Sequence, residues 1–280
     1  MSCVYFLAHL GLGDHLFTVG AIRFLMKFYD RIYIPCYSHY YENVKLFFEN
    51  EKNITLIPFL GLSNQLNDEI KNLLRDKYQN NDVIVLGHHK QHLPCKITNK
   101  HILENVKDDS TYDLKITGFD YANINGFIKE WYDDLNLGLK IFYENFDLNK
   151  TETSQVLYNS IKQYENIIFI QNRCSTGEVL SINNLIKKYK NDANSILIST
   201  SENLYEDNKE LYDKKYQICN SFVNNYLVHY LDTILNSSEI YILDSCFTGI
   251  VLPLYKTNKL KAKIVNIIFR GNINNEMYKF

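Results

Sequence analysis

Three short segments hold residue types that can do chemistry. Gly11-Leu12-Gly13-Asp14-His15 follows one apolar run and opens an amphipathic one. Glycines at such a turn let the backbone bend sharply and approach a ligand with no Cβ in the way. The N–H groups of the helix start then face an anion, so Gly11, Gly13 and His15 are expected substrate contacts. Asp14 has two readings: a helix N-cap, or a general base that takes a proton from a substrate hydroxyl. The second segment is Gln171-Asn172-Arg173-Cys174-Ser175-Thr176-Gly177-Glu178. Arg173 there can clamp a diphosphate through paired hydrogen bonds, with Ser175 and Thr176 beside it. The competing reading is a surface-loop arginine. The third segment runs from Ile240 to Gly249, an apolar strand ending in Asp244-Ser245 with Thr248 close behind. Hydroxyls of Ser245 and Thr248 beside free backbone N–H groups make a phosphate cradle. Helix capping explains the same residues equally well.

Other chemistries are weaker on the residues. A dinucleotide fingerprint needs a third glycine where Leu16 stands, and an acidic residue where the second strand ends in Pro35-Cys36-Tyr37. Ser245 lacks the G-x-S-x-G elbow of a hydrolase nucleophile. His88, His89 and His92 invite a metal reading, but carboxylates do not accompany them. They read instead as a polar cleft wall, with His88 or His89 bonding sugar hydroxyls, or as inert loop residues. Phe127, Trp131 and Tyr132 share one helical stretch and read as core rather than as a stacking platform.

The elements that must position these residues alternate. Strands are expected at 4–8, 31–35, 54–58 and 82–86, with helices at 14–29, 40–49 and 64–77 between them. Residues 87–125 break the rhythm, and 127–144 reads as one helix. A second series follows, with strands at 166–171, 195–199, 239–243 and 263–268 and helices at 179–189, 224–236 and 245–255. Repeated βα order implies parallel sheets covered by helices. Right-handed crossovers place the strands' C-terminal ends on one edge, where ligands sit in such sheets. The expected fold is α/β: two Rossmann-like parallel-sheet halves, 1–125 and 146–280, facing a cleft and joined by 126–145.

Composition bounds the rest. The 280 residues carry a net charge of −2, 46% are hydrophobic and 22% charged, which excludes wholesale disorder and disfavours a dedicated nucleic-acid binder. The 22 tyrosines against one tryptophan, with abundant Asn and Lys, weaken any motif built on those residues alone. The apolar start lacks a basic n-region, and no run approaches the roughly 18 apolar residues of a membrane span. The six cysteines form no C-x-x-C pair. A cytoplasmic protein with reduced thiols and neither metal nor cofactor is the expectation.

Two of the segments, in this order, resemble a known family. Gly11-Leu12-Gly13-Asp14-His15 resembles the G-x-G-D turn that opens heptosyltransferase-like glycosyltransferases. Glu239 to Gly249 resembles their strand–Asp-Ser–helix segment, although Cys246-Phe247-Thr248-Gly249 stands where the family often has Gly-Pro-x-His. The resemblance implies a GT-B fold and transfer of a sugar from a nucleotide-sugar donor to a hydroxyl of a glycan or small-molecule acceptor, inverting and metal-independent. It implies Asp14 as base, Asp244, Ser245 and Thr248 at the donor phosphate or ribose, and Arg173 on the diphosphate. The alternatives are a non-catalytic nucleotide- or glycan-binding module of the same fold, or a sugar-nucleotide epimerase.

Overall fold

Short runs of β-branched and aromatic residues pair into two parallel sheets. The computed structural model describes residues 2–61, 66–78, 80–91, 95–98, 122–209, 215–224 and 226–268. The chain divides into two units, Met1–Asn149 and Lys150–Phe280. In the first, β1 (Cys3–Leu7), β2 (Arg31–Tyr37), β3 (Ile54–Phe59) and β4 (Asp82–Val85) lie in the order β3-β2-β1-β4. In the second, β5 (Asn166–Gln171), β6 (Ser195–Ser199), β7 (Glu239–Leu243) and β8 (Ile264–Ile268) lie in the order β6-β5-β7-β8. All the strand pairings within both sheets are parallel. The α/β architecture expected from the alternating pattern is therefore present. Strands β4 and β6 are buried along their whole length, as strands covered on both faces must be.

The first helix, α1 (Leu12–Leu25), is the centre of the first unit. It starts two residues earlier and ends four residues earlier than its spacing suggests. Ten of its residues are buried, His15 among them. Behind it, the single helix expected over 127–144 is two helices, Ala122–Asp134 and Leu139–Glu144. Asn136 sits at φ 54, which ends the first helix, and the Leu137 N–H bonds back to the Tyr132 carbonyl at 2.8 Å. Both helices fall within the first unit, Met1–Asn149.

That break lets two residues lock α1. The Tyr132 hydroxyl donates to the Phe17 carbonyl at 3.0 Å and accepts the Ala21 N–H at 3.1 Å. It thereby enters the i to i−4 ladder of α1, and its burial pushes its pKa far up. One residue before Ala21, a Cβ on Gly20 would lie 2.5 Å from the Phe142 carbonyl oxygen. Only glycine allows the two helix backbones this close. Trp131 and Tyr132 are each 1% exposed, so both are core, as expected. The side chain of Phe127 lies outside the described residues.

In the second unit several helices start late. Helix Asn183–Tyr189 begins four residues after the expected 179 because Val179 pairs with Arg173 in a hairpin. The stretch expected as one helix over 224–236 is a 3-10 turn, Leu227–Tyr230, followed by helix Leu231–Asn236. Helix Thr248–Lys256 begins three residues after Ser245. Short helices at Glu202–Asp207 and Tyr216–Asn220 were not anticipated. The entry to this unit is pinned at a buried carboxylate: Asp232 takes Lys150 at 2.6 Å and the Ser154 hydroxyl at 2.8 Å. Thr151 caps helix Glu152–Asn159 by accepting the Ser154 N–H at 3.0 Å. No helix among the described residues is long and apolar enough to cross a membrane.

Candidate functional site

Each sheet has one place where strand order reverses. The chain builds outward from β1 to β3, then returns to lay β4 on the other side of β1. In the second sheet the reversal lies between β5 and β7. At such points the loops leaving adjacent strands diverge and open a crevice beyond the strands' C-terminal ends. The sequence-derived candidates fall at these two places.

Beyond β1, Gly11 is the N-cap of α1, with φ −68 and ψ 151. Asp14 is three residues into the helix rather than its cap. Its Oδ2 accepts the Gly11 N–H at 3.1 Å, closing one of the orphan donors of the helix start. A Cβ on Gly11 would lie 2.7 Å from that oxygen, so glycine is what admits the carboxylate. Asp14 and Gly13 remain partly exposed. His15 points inward: it is 2% exposed, and its Nε2 makes no hydrogen bond among the described residues. Burial lowers its pKa to about 4, so it is neutral at physiological pH.

Beyond β4, a 3-10 turn spans Gly87–Gln91 and carries His88 and His89. Lys90 ties the turn to Asp134 at 2.5 Å. His89 is 3% exposed and meets the ring of His9 edge-on, with centroids 6.0 Å apart. His9 also packs edge-on against Trp131 at 4.9 Å. Gly87 has φ 60, and a Cβ there would fall 2.0 Å from His9 Nε2. His9 is thus a wall of the β1/β4 reversal that motif reading missed. The signal was its place directly after the first strand, on no motif. The side chain of His88, and all of His92, lie outside the described residues. Among the described residues, no three His, Cys, Asp or Glu side chains are grouped to hold a metal ion.

Beyond β5, residues 172–180 fold back as a hairpin. The Leu180 N–H donates to the Asn172 carbonyl at 2.8 Å, and the Cys174 N–H to the Glu178 carbonyl at 3.2 Å. Ser175 and Thr176 sit exposed at the tip, where the Thr176 hydroxyl donates to the Glu178 carboxylate at 2.7 Å. Arg173 stands at the hairpin base. Its guanidinium makes no ion pair or hydrogen bond among the described residues, and its Nε is buried. The neighbouring Asn172 is 7% exposed, and its Oδ1 is likewise without a partner among the described residues.

Beyond β7, the Asp-Ser turn is bonded largely to itself. Thr248, fully buried, donates its hydroxyl to Asp244 Oδ1 at 3.1 Å and lies 3.3 Å from the Ser245 N–H. Ser245 Oγ accepts the Phe247 N–H at 3.3 Å. The Asp244 N–H donates to the Ile268 carbonyl at 2.7 Å. Ser245 therefore belongs to the turn before the helix and not to the helix itself, contrary to expectation. Because Gln171 is in register with Ile242, Asn172-Arg173 and Leu243-Asp244-Ser245 leave the sheet side by side. The structure thus brings Arg173, Asp244 and Ser245 to one reversal, and Asp14 and His89 to the other.

No protein-family profile matches the chain, and no curated protein matches it. Solved structures do. The ADP-heptose lipopolysaccharide heptosyltransferase II of E. coli aligns over 99% of this chain and 95% of its own, with a TM-score of 0.52 and 12% identity. The glycosyl transferase family 9 protein from Veillonella parvula DSM 2008 aligns over 95% of this chain and 86% of its own, with a TM-score of 0.53 and 11% identity. The chain therefore has the heptosyltransferase-like GT-B fold that the two sequence motifs suggested.

Proposed function

We propose that the chain is a cytoplasmic glycosyltransferase. It moves a sugar from a nucleotide-sugar donor to a hydroxyl of a glycan or small-molecule acceptor, with inversion and without a metal ion. The observation that carries this reading is Arg173: a guanidinium with no counter-charge among the described residues, at the strand-order reversal of the second sheet. An uncommitted arginine at such a point suits a diphosphate, whose oxygens accept from its planar fork.

The residues take these roles. Asp14 removes the proton of the acceptor hydroxyl. The acceptor oxygen attacks the anomeric carbon, and the bond from that carbon to the diphosphate oxygen breaks. The nucleoside diphosphate leaves with the electron pair, and Arg173 meets the charge that develops there. One displacement inverts the centre. The bond from the Gly11 N–H holds the Asp14 carboxylate in place at the start of α1. Ser245, Asp244 and the hairpin residues Ser175 and Thr176 flank the donor, while buried Thr248 holds Asp244 in place. Gly11 and Gly13 leave room at the acceptor side, with His89 on its wall and His15 beneath.

A non-catalytic nucleotide-binding module is the second reading. It is favoured by the Asp244-Ser245-Thr248 turn, whose hydroxyls bond within the turn. Calorimetric titration with ADP, GDP, CDP and UDP, with and without EDTA, tests both. Binding of one nucleotide, unchanged by EDTA, is expected, followed by transfer from the matching sugar nucleotide. Binding without donor hydrolysis or transfer would leave the module. No binding to any of the four would overturn both readings.

A further inference from the structure

Asn172 holds a polar atom that has no partner among the described residues. Its Nδ2 donates to the Leu180 carbonyl at 3.3 Å. That carbonyl only accepts, so the amide cannot be turned around without setting two acceptors against each other. The orientation of the side chain is therefore fixed by the hairpin, and Oδ1 faces the other way. Asn172 is 7% exposed, and Oδ1 has no hydrogen-bond partner among the described residues. Folded proteins seldom leave a buried acceptor in this state without a reason.

The neighbouring Arg173 presents the opposite need. Its buried Nε–H is a donor that lacks an acceptor among the described residues. Phosphate oxygens at neutral pH accept and do not donate, so a diphosphate answers Arg173 and leaves Asn172 unanswered. A ligand that satisfies both must carry a hydrogen-bond donor near its diphosphate. Sugar nucleotides have hydroxyls on either side of that group, on the ribose and on the transferred sugar.

We infer that Asn172 is a specificity residue of the donor site, with Oδ1 accepting a hydrogen bond from a donor hydroxyl. The inference rests on the nucleotide-sugar reading above and extends it from the diphosphate to its neighbouring hydroxyls. A site built to bond a hydroxyl rejects the analogue that lacks it, because the buried acceptor is left unmade.

The test uses the full chain and the nucleoside diphosphate that the wild type binds. Calorimetry compares that diphosphate, its 2′-deoxy and 3′-deoxy forms and the matching sugar nucleotide, on wild type, Asn172→Ala and Asn172→Leu. A loss of about tenfold to hundredfold in affinity is expected for the variants. If the variants lose it on the plain diphosphate and no longer distinguish the deoxy forms, the hydroxyl is on the ribose. If they lose it only on the sugar nucleotide, it is on the transferred sugar. Melting temperature separates a contact from a folding role, and the deoxy probes on wild type need no variant. Wild type that binds, with variants that bind every probe equally well and wild type indifferent to the deoxy forms, would overturn this inference alone. Wild type that binds none of the probes would overturn the donor reading beneath it.

Discussion

The two strand-order reversals are built to the same plan and finished differently. At β1/β4 the polar groups are drawn into the scaffold: Asp14 closes the start of α1, His15 is buried in it, and His9 packs between Trp131 and Gly87. At β5/β7 the hydroxyls of the Asp-Ser turn bond within the turn, yet beside it Arg173 Nε and Asn172 Oδ1 have no partner among the described residues. Residue type alone does not separate these cases, since Asp, Ser and Thr suit caps as well as ligands. What separates them is which groups lack a partner among the described residues: the imidazole nitrogen of His15, walled into the core, at the first, and Arg173 Nε and Asn172 Oδ1 at the second. By that measure the first reversal offers a positioned carboxylate, and the second a cation and an acceptor with no partner among the described residues.

The sharpest break of the comparison is Asp14→Asn. The amide can still accept the Gly11 N–H, so the helix start survives while the base is lost. Turnover should fall by roughly 10²- to 10⁴-fold with donor affinity unchanged. Steady-state kinetics beside calorimetry reads both; a fall in affinity with turnover kept would move the chemistry away from Asp14. Arg173→Ala should do the reverse, weakening the nucleoside diphosphate by roughly 10²- to 10³-fold while the melting temperature barely moves, because no described residue hydrogen-bonds to that guanidinium. A large drop in melting temperature would make it structural.

His15 gives the first unit a pH signature that the second lacks at its reversal. Its folded pKa of about 4 lies below the ordinary 6.5, so the unfolded chain binds the proton first. Its contribution is complete above pH 6.5, falls as pH drops through that window, and is lost below about 4. Denaturant titrations across the window should show a loss of about 3 kcal/mol that His15→Phe removes. Gly20→Ala tests the packing behind α1: a Cβ 2.5 Å from the Phe142 oxygen forces the helices apart, and about 1–3 kcal/mol of stability should go. The smallest effect is expected from Thr248→Val, about 1 kcal/mol of stability with nucleotide affinity nearly unchanged. A large affinity loss there would show that the turn is part of the donor site in its own right.

Strand positions were legible because buried parallel strands read as short apolar runs, and seven of the eight expected spans lie within one residue of the observed ones, with β2 running two residues further, to Tyr37. The motif at Gly11–Asp14 was legible because a strand must turn into a helix there. Helix starts in the second unit were not. Whether Val179 begins a helix or pairs with Arg173, and whether Ser245 or Thr248 opens one, depends on hydrogen bonds between residues that local spacing does not rank. The break at Asn136 was marked only by an Asn-Leu-Gly step of ordinary appearance.

The sequence by itself determined the βα alternation, the two-part organisation, and the residues standing at each strand's end, because hydrophobic periodicity and glycine turns are local. Only the tertiary structure decided which strand ends become neighbours, since strand order depends on crossovers. It also decided that His9 lines one reversal and that Asp14 bonds Gly11. Above all, it decided that Arg173 Nε and Asn172 Oδ1 have no partner among the described residues, because hydrogen-bond commitment is a property of the assembled neighbourhood and of no single residue.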